Sequence, residues 1–330
     1  MWGEFKIIEV PHPAPKAGEV SIRNKAVALN PVDWKKLEYG ILVDNFPAVF
    51  GADIAGVVEA VGEGVDVFKP GDEVFSLAGH ENRAGGFQEV STVPAHFVAH
   101  KPPSWTFEEA ASLPICYLTA AAAVTLGLKI SLPFLQRTAP LRTDSPRSIL
   151  VIGGSSGVGA SAIQLLRLAV PSIQIITTAS LSHHSQLISL GATTCVDRTT
   201  ADIVAAVRAA STGGLGVDAI LDAVGGAGNE NQPGLFNTLR VHGPRLYSAV
   251  FTGSQVSLPE GVEATTSSGR QTFEVSGGRS AMSALAKLAE DGNFKAPLKI
   301  EVVGNGLESI GGGLEKLKMG VSRTKLVVSL

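Results

Sequence analysis

Cysteine is nearly absent, with Cys116 and Cys195 the only two in 330 residues. Two thiols so far apart in sequence make neither a disulfide framework nor a four-thiolate zinc lobe, and a reducing compartment, the cytoplasm, is the expectation. Charge is scarce too: charged residues are 17% of the chain and the net charge is −3. Nothing in that balance draws the chain to nucleic acid or to an anionic membrane. The amino terminus, MWGEFKIIEVPHPAPKAGEV, has acids and prolines where a signal peptide needs a basic stretch and an apolar run. The longest apolar tract, Ala110 to Leu128, is interrupted by Ser112, Pro114, Thr119, Thr125 and Gly127 and reads as a soluble helix rather than a membrane span. Aromatics are only 6%. What is abundant is apolar side chains, 45%, and glycine, with 37 glycines beside 18 prolines. That composition builds a core and many turns, and at about 150 residues per domain the length allows two domains.

The first hundred residues carry short β-type runs, EVSIRNKAVAL, IAGVVEAVG and DEVFSLA, between Gly, Pro and Asp punctuation. From Glu108 a helical pattern follows, then a polar, proline-containing connection, LPFLQRTAPLRTDSPRS, of the length that marks a functional loop or an insertion. After it strands and helices alternate regularly. Strands are expected at Ser148 to Ile152, Ile173 to Thr178, Thr194 to Val196, Val217 to Leu221 and Arg245 to Val250; helices fall between them, the first marked by Val158, Ala162, Leu165, Leu166 and Ala169. Alternation of this kind predicts an α/β fold with a doubly wound parallel sheet. A helix through Met282 and Leu285 ends at Gly292, and the tail, with strands near Leu298 to Val303 and Lys325 to Ser329 around a helix from Leu307 to Lys318, returns to the β-rich texture.

The strongest local motif is SILVIGGSSGVGASAIQLL, a buried strand entering a glycine loop and then an apolar-periodic helix. Glycines admit a tight turn and the close approach of a phosphate, and the helix start offers unbonded N–H groups and a positive dipole end. Gly154, Ser155, Ser156, Gly157, Val158 and Gly159 are therefore the expected cofactor cradle. The spacing, G-x-x-G-x-G, departs from the usual dinucleotide fingerprint, and Gly153, Ser155 and Gly157 also satisfy the G-x-S-x-G elbow of serine hydrolases, with Asp222 and His242 following in order. No oxyanion motif precedes the loop, and such an elbow has no use for Gly159, so the hydrolase is the weaker alternative. About twenty residues beyond Gly159, where an acid would bond the ribose hydroxyls and repel a 2′-phosphate, the chain reads TTASLSHH. Ser180 and His183 are suited to a phosphate there, which favours NADPH over NADH; the bland reading is a polar loop whose serines cap the next helix. The histidines at 12, 80, 96, 100, 183, 184 and 242 read as surface or loop residues, and no metal is expected.

The stretches ALNPVDWK, FPAVFGADIAGVVEAVGEGVDVFKPGDEVF, GGFQEV, FEEAASLPICYLTAAAA and GLESIGGGLEKLKMGVSRTKLVV, with the glycine loop, resemble the medium-chain dehydrogenase/reductase superfamily over nearly the whole chain. NPVDWK and the insertion before the first cofactor-domain strand are most similar to the zinc-free quinone and enoyl reductases, and within them to the fungal trans-acting enoyl reductases and the CipB/ToxD-like group. The resemblance implies a GroES-like β-rich catalytic domain at 1–114 and 293–330 and a Rossmann NADPH-binding domain at 115–292. Zinc members of the family carry a metal-binding cysteine where this chain has Asn30, and Gly-His-Glu where it has Gly51, Ala52 and Asp53.

A metal-free reductase is thus implied, in which hydride passes to the activated C=C of an unsaturated carbonyl or enoyl thioester, or to a quinone; a non-catalytic NADPH-binding protein of the same fold is the alternative. By motif position Asn30, Asp33 and Lys35 lie under the nicotinamide end, Thr119 borders the same cleft, and Val224 and Val250 are further cofactor contacts. The bland reading of Asp33 and Lys35 is a solvated pair before a turn, and Tyr39 is a weaker proton-donor candidate. The substrate is expected to be a small molecule or a carrier-bound acyl chain, and the protein a monomer or homodimer. Family members begin with a further strand before an EFKIIEV-like segment, and here only Met1 and Trp2 precede Gly3, so a less stable domain edge is expected. The stretch from Thr265 to Arg279 is a weak match and is expected to line the substrate mouth.

Overall fold

The computed structural model describes residues 5–79, 81–135, 145–228, 234–253 and 256–330. Met1, Trp2, His80 and residues 136–144 of the polar connection lie outside them. The first part of the chain forms β1 (Glu19–Ala28), α1 (Pro31–Tyr39), β2 (Asp53–Val61), β3 (Glu73–Leu77), β4 (Val90–Pro94), β5 (Val98–His100) and α2 (Phe107–Ala111). The middle forms α3 (Pro114–Ala122), β6 (Ser148–Ile152), α4 (Gly157–Ala169), β7 (Gln174–Ala179), α5 (His184–Ser189), β8 (Thr194–Asp197), α6 (Ile203–Ala210), β9 (Ala219–Asp222), β10 (Leu246–Val250) and β11 (Glu263–Ser267). The last part forms α7 (Ala281–Glu290), β12 (Lys299–Asn305), α8 (Ser309–Met319) and β13 (Thr324–Ser329).

By its internal contacts the chain divides into two compact units. The first is Met1–Ile115 with Met282–Gly292 and Leu298–Leu330; the second is Cys116–Ala281 with Asn293–Pro297. Residues 282–292 therefore group with the first unit and 293–297 with the second, the reverse of the expected ranges. The apolar tract Phe107–Gly127 is long and apolar enough to cross a membrane, but it is mostly buried within the protein and is broken into α2, α3 and a π-helical turn at Ala123–Gly127.

The first unit is built on a seven-stranded sheet in the order β12-β13-β1-β2-β3-β5, with β4 pairing β1. All pairs are antiparallel except β12 with β13. Its core joins Val20, Ile22 and Val27 of β1 to Ile54, Val58, Val74, Leu326 and Val328, with Ile310 and Leu314 of α8 packed in. The β1–β2 register slips between Asn24 and Ala26. This is a bulge, and Gly56 faces it: a Cβ on Gly56 would stand 2.1 Å from the Arg23 carbonyl oxygen. Residues 5–16 form no strand, and Ile7, Ile8 and Val10 are exposed.

The second unit is a six-stranded parallel sheet in the order β11-β10-β9-β6-β7-β8. All five residues of β6 are buried, as strands covered on both faces require. The chain runs outward from β6 to β7 and β8, then returns to β9 beside β6 and runs outward the other way. The strand order therefore reverses at β6 and β9, a switch point that leaves a crevice at the carboxyl ends of the strands. β11 was expected only as part of a weakly matched stretch; it is the polar edge strand, and the segment after it, Gly269–Glu274, is a short 3-10 helix.

Gly56→Ala is expected to cost about 1–3 kcal/mol, because β1 and β2 cannot separate around the new methyl without breaking the ladder. Urea denaturation with an unchanged m-value and a lower midpoint checks this; an unchanged midpoint would mean the bulge yields freely.

Candidate functional site

In the second unit the loop after β6 is shaped by backbone approach. Gly153 has φ +76°, and a Cβ on it would meet the Val224 side chain at 2.6 Å. A Cβ on Gly154 would meet Thr177 Oγ1 at 2.0 Å, and one on Gly159 would meet the Gly153 carbonyl oxygen at 2.3 Å. The turn and the start of α4 therefore need glycine at each of these places. Ser156 caps α4, its hydroxyl accepting from the Gly159 N–H at 3.0 Å. The N–H groups of Gly157 and Val158, first in the helix, have no intrahelical acceptor. Side-chain-free backbone, a helix start and partly exposed Ser155 and Ser156 fit the pyrophosphate of a dinucleotide.

The neighbouring strand ends supply the flanks. Ser180 is the first residue beyond β7 and opens the 3-10 turn Leu181–His183. His184 Nε2 lies 3.2 Å from the Ala179 carbonyl oxygen. On the other side β9 ends in Asp222, fully buried. Its carboxylate accepts from the N–H groups of Val224, Gly226 and Ala227 at 3.1, 2.9 and 2.8 Å and from the Tyr247 hydroxyl at 3.0 Å. Burial, then the Asp222 charge, pushes the Tyr247 hydroxyl well above its ordinary range, so it remains a donor that holds this carboxylate. Asp222 thereby fixes the turn that sets half-exposed Val224 against Gly153, and Val250 ends β10 nearly buried. These bonds give Asp222 a structural role, and His242 is exposed; the Ser155, Asp222, His242 relay of a hydrolase is not assembled. Thr119, on α3, is buried beside Gly269.

In the first unit Asn30, Asp33 and Lys35 are brought to the start of α1, but their surroundings differ from a solvated pair. Asp33 is 0% exposed. One of its oxygens accepts from the Asn30 N–H at 2.9 Å, and the other lies 3.3 Å from the Gly51 N–H. The charge beside it is Lys36, buried against the Phe50 ring at 5.5 Å, not Lys35. Lys35 is half-buried, its Nζ 5.5 Å from the Trp34 ring centroid, and desolvation lowers its pKa. Tyr39 is exposed at the end of α1, in edge contact with Trp34.

Two residues absent from the sequence-derived site complete the cluster. Lys325 Nζ donates to Asn30 Oδ1 at 2.6 Å and to Asp53 Oδ2 at 2.9 Å; Asn30 Nδ2 donates to the same Asp53 oxygen at 2.9 Å, and the Ile115 N–H to Asp53 Oδ1 at 2.7 Å. Asp53 is 0% and Lys325 5% exposed. At the two positions that the family resemblance assigns to a metal ligand and to Gly-His-Glu, the chain places an ammonium. A signal existed: Lys325 stands in TKLVVS, an apolar strand in which an inward lysine requires a buried acid. Among the described residues no three His, Cys, Asp or Glu side chains gather as a metal cluster. His96 and His100 have the four-residue spacing that pairs ligands on a helix, but Ala95–Phe97 is a 3-10 turn and Val98–His100 is strand.

Residues 16–103 match the family described as the alcohol dehydrogenase GroES-like domain. The chain is 32% identical to a trans-enoyl reductase, himH, of Aspergillus japonicus over 74% of this chain and 69% of that one. It is 34% identical to the chloroplastic quinone-oxidoreductase QR1 of Triphysaria versicolor over 58% of this chain, and there it spans little more than half, 56%, of the relative's length. The crystal structure of an NAD-dependent alcohol dehydrogenase matches 98% of the chain and 95% of its own at 27% identity, with a TM-score of 0.77.

Two outcomes follow from the buried charges. Desolvation raises the Asp33 carboxyl from 3.8 to about 6, against the opposing pull of Lys36. A pKa higher in the folded state means that Asp33 contributes stability below about pH 4 that is lost as pH rises through about 6, at most about 3 kcal/mol. In denaturant titrations the stability of the wild type relative to Asp33→Asn is therefore expected to fall across that window; a flat difference would contradict it. Lys325→Met leaves Asp53 buried and uncompensated, an expected loss of about 3–5 kcal/mol. The double variant Asp53→Asn/Lys325→Met should recover part of that loss, and equal losses in the two would refute the pairing.

Proposed function

Because the chain belongs to the medium-chain dehydrogenase/reductase superfamily, we propose that it is an NADPH-dependent, zinc-independent reductase of activated C=C bonds, in α,β-unsaturated carbonyls or enoyl thioesters, or of quinones. The observation that carries this reading is the Lys325 ammonium on Asn30 and Asp53. A lysine takes up the donor atoms a Lewis-acid metal would use there, and without such a metal the alkoxide of alcohol oxidation lacks its usual stabiliser at neutral pH. Reduction of a double bond conjugated to a carbonyl, or of a quinone, makes a weaker demand. The names of the relatives, a trans-enoyl reductase and a quinone oxidoreductase, support both substrate classes.

The loop Gly154, Ser155, Ser156, Gly157, Val158 and Gly159 would hold the pyrophosphate, and Ser180 and His183 the adenosine ribose end. β7 ends at Ala179 and is followed by Ser180, so the end of that strand itself carries no carboxylate to repel a 2′-phosphate. When bound, the nicotinamide supplies the hydride. Asp33 fixes the start of α1 through the Asn30 N–H, and Asn30 is itself held by Lys325 and Asp53; these are positioning residues. Lys35, two residues further along α1 and partly desolvated, is the group proposed to stabilise the oxygen on which negative charge develops. Thr119 and Val250 are proposed lining residues. A carrier-bound acyl thioester belongs to the same substrate class as a free one.

Fluorescence titration is expected to show NADPH binding at least about tenfold tighter than NADH, a discrimination of about 1.4 kcal/mol. NADPH oxidation is expected with at least one member of a panel of enals, enones, enoyl thioesters and quinones. Tighter NADH binding would overturn the cofactor assignment, and binding without turnover across the panel would reassign the chain as a non-catalytic NADPH-binding protein.

A further inference from the structure

We propose that the outer edge of β12 is an interaction surface for a second copy of this chain, the two strands pairing antiparallel across a two-fold axis at Ile300. β12 ends the sheet of the first unit: it pairs β13 on one side and, among the described residues, no strand on the other. The Lys299 N–H donates to the Arg323 carbonyl oxygen at 3.2 Å. Lys299 and Glu301 therefore turn their backbone groups toward β13, and by the alternation of a strand the N–H and C=O of Ile300 and Val302 point outward. An open edge of this kind is a template for another chain unless proline, shortness or an unmatched charge blunts it. β12 runs Lys299–Asn305 without proline, and Val302 is 48% exposed.

The charges on the strand select both the partner and the register. An antiparallel pair that uses the outward groups of Ile300 and Val302 has its axis at Ile300, Glu301 or Val302. An axis at Glu301 sets that carboxylate opposite its own copy, which repels. An axis at Val302 sets Lys299 opposite Asn305 and Glu301 opposite Val303, and both charges go unmatched. An axis at Ile300 sets Lys299 opposite Glu301 on each side of the axis, and Leu298 opposite Val302. Every charge then meets its opposite, while on the other face Leu298, Ile300 and Val302 of both copies form one apolar row. Lys299 is exposed and has no ion-pair partner among the described residues. Glu301 holds Lys316 of α8 through Oε1, which leaves Oε2 for the lysine of the second copy. Ile300 also stands opposite Lys325 in the β12–β13 ladder, so this pairing would brace the end of the sheet that carries the buried ammonium.

The test is sedimentation velocity of the full chain over a dilution series. The paired segment is short, so a dimer that dissociates on dilution is expected. Ile300→Pro removes an outward N–H and leaves the donors of the β13 ladder in place; it is expected to abolish the dimer with the circular dichroism spectrum unchanged. Lys299→Glu sets like charges opposite each other and should raise the dimer dissociation constant about tenfold or more. The swap Lys299→Glu/Glu301→Lys restores opposite charges and should recover most of that loss, a rescue that damage to the strand alone would not give. A wild type that stays monomeric throughout the series overturns the proposal. So does a dimer that Ile300→Pro and Lys299→Glu both leave intact, which would place the contact on another edge, such as β11.

Discussion

A strand buried on both faces can offer chemistry only at its ends. β6 is such a strand, with β7 and β9 on its two edges and no exposed residue of its own. The turns beyond the strands are where the second unit's backbone becomes accessible: Gly153 to Gly159 after β6, Ser180 after β7, Arg198 after β8, Val224 after β9. Because the strands are parallel, these turns share one edge. The close approach at Gly154 and Gly159 lets α4 start directly over the β6 end, so that unbonded helix N–H groups face the crevice opened by the reversal of strand order. Asp222 extends the same logic, since one buried carboxylate orders three N–H donors of the turn that follows it, and with them the position of Val224.

The first unit solves a different problem. It buries two carboxylates and two ammoniums near the start of α1, which is costly unless each charge has partners. Asp53 is fully provided for by Lys325, Asn30 and the Ile115 N–H. Asp33 receives two backbone N–H groups and lies near Lys36, and burial still dominates, which is why its carboxyl moves up rather than down. The consequence is local rigidity: Asn30 cannot rotate without breaking bonds to Lys325 and Asp53, and Asp33 cannot leave without freeing the first turn of α1.

The alternation of strand and helix was plain in the sequence because parallel strands covered on both faces are written as unbroken apolar runs, such as SILVI. β11 was not, since EATTS is a polar edge strand, paired on one side and mostly exposed, with no periodicity to separate it from a loop. The glycine loop was legible because tight turns and close approach demand glycine at fixed places. The bland reading of Asp33 and Lys35 as a solvated pair fails because on a helix the residue three along, Lys36, shares a face with Asp33 and the one two along does not, and because Asp33 is buried. Asp53 and Lys325 escaped for another reason. They lie 272 positions apart in the chain, and although a lysine within an apolar strand announces a buried acid, a pairing made by β13 lying beside β1 and β1 beside β2 does not say which acid it is.

The paucity of cysteine takes on a more definite meaning through that pairing. The lack of a thiolate at position 30 would by itself mean only one potential ligand fewer. Here the carboxylate at the following position, Asp53, is neutralised by Lys325, and Asn30 gives its oxygen to the ammonium and its amide to the carboxylate. The cluster is electrically balanced without any ion. A divalent cation entering it would meet a like charge at hydrogen-bonding distance from both of its prospective donors, and it would have only one carboxylate and a neutral amide to offset two positive charges in a buried setting. Admitting such a cation would therefore require displacing the lysine.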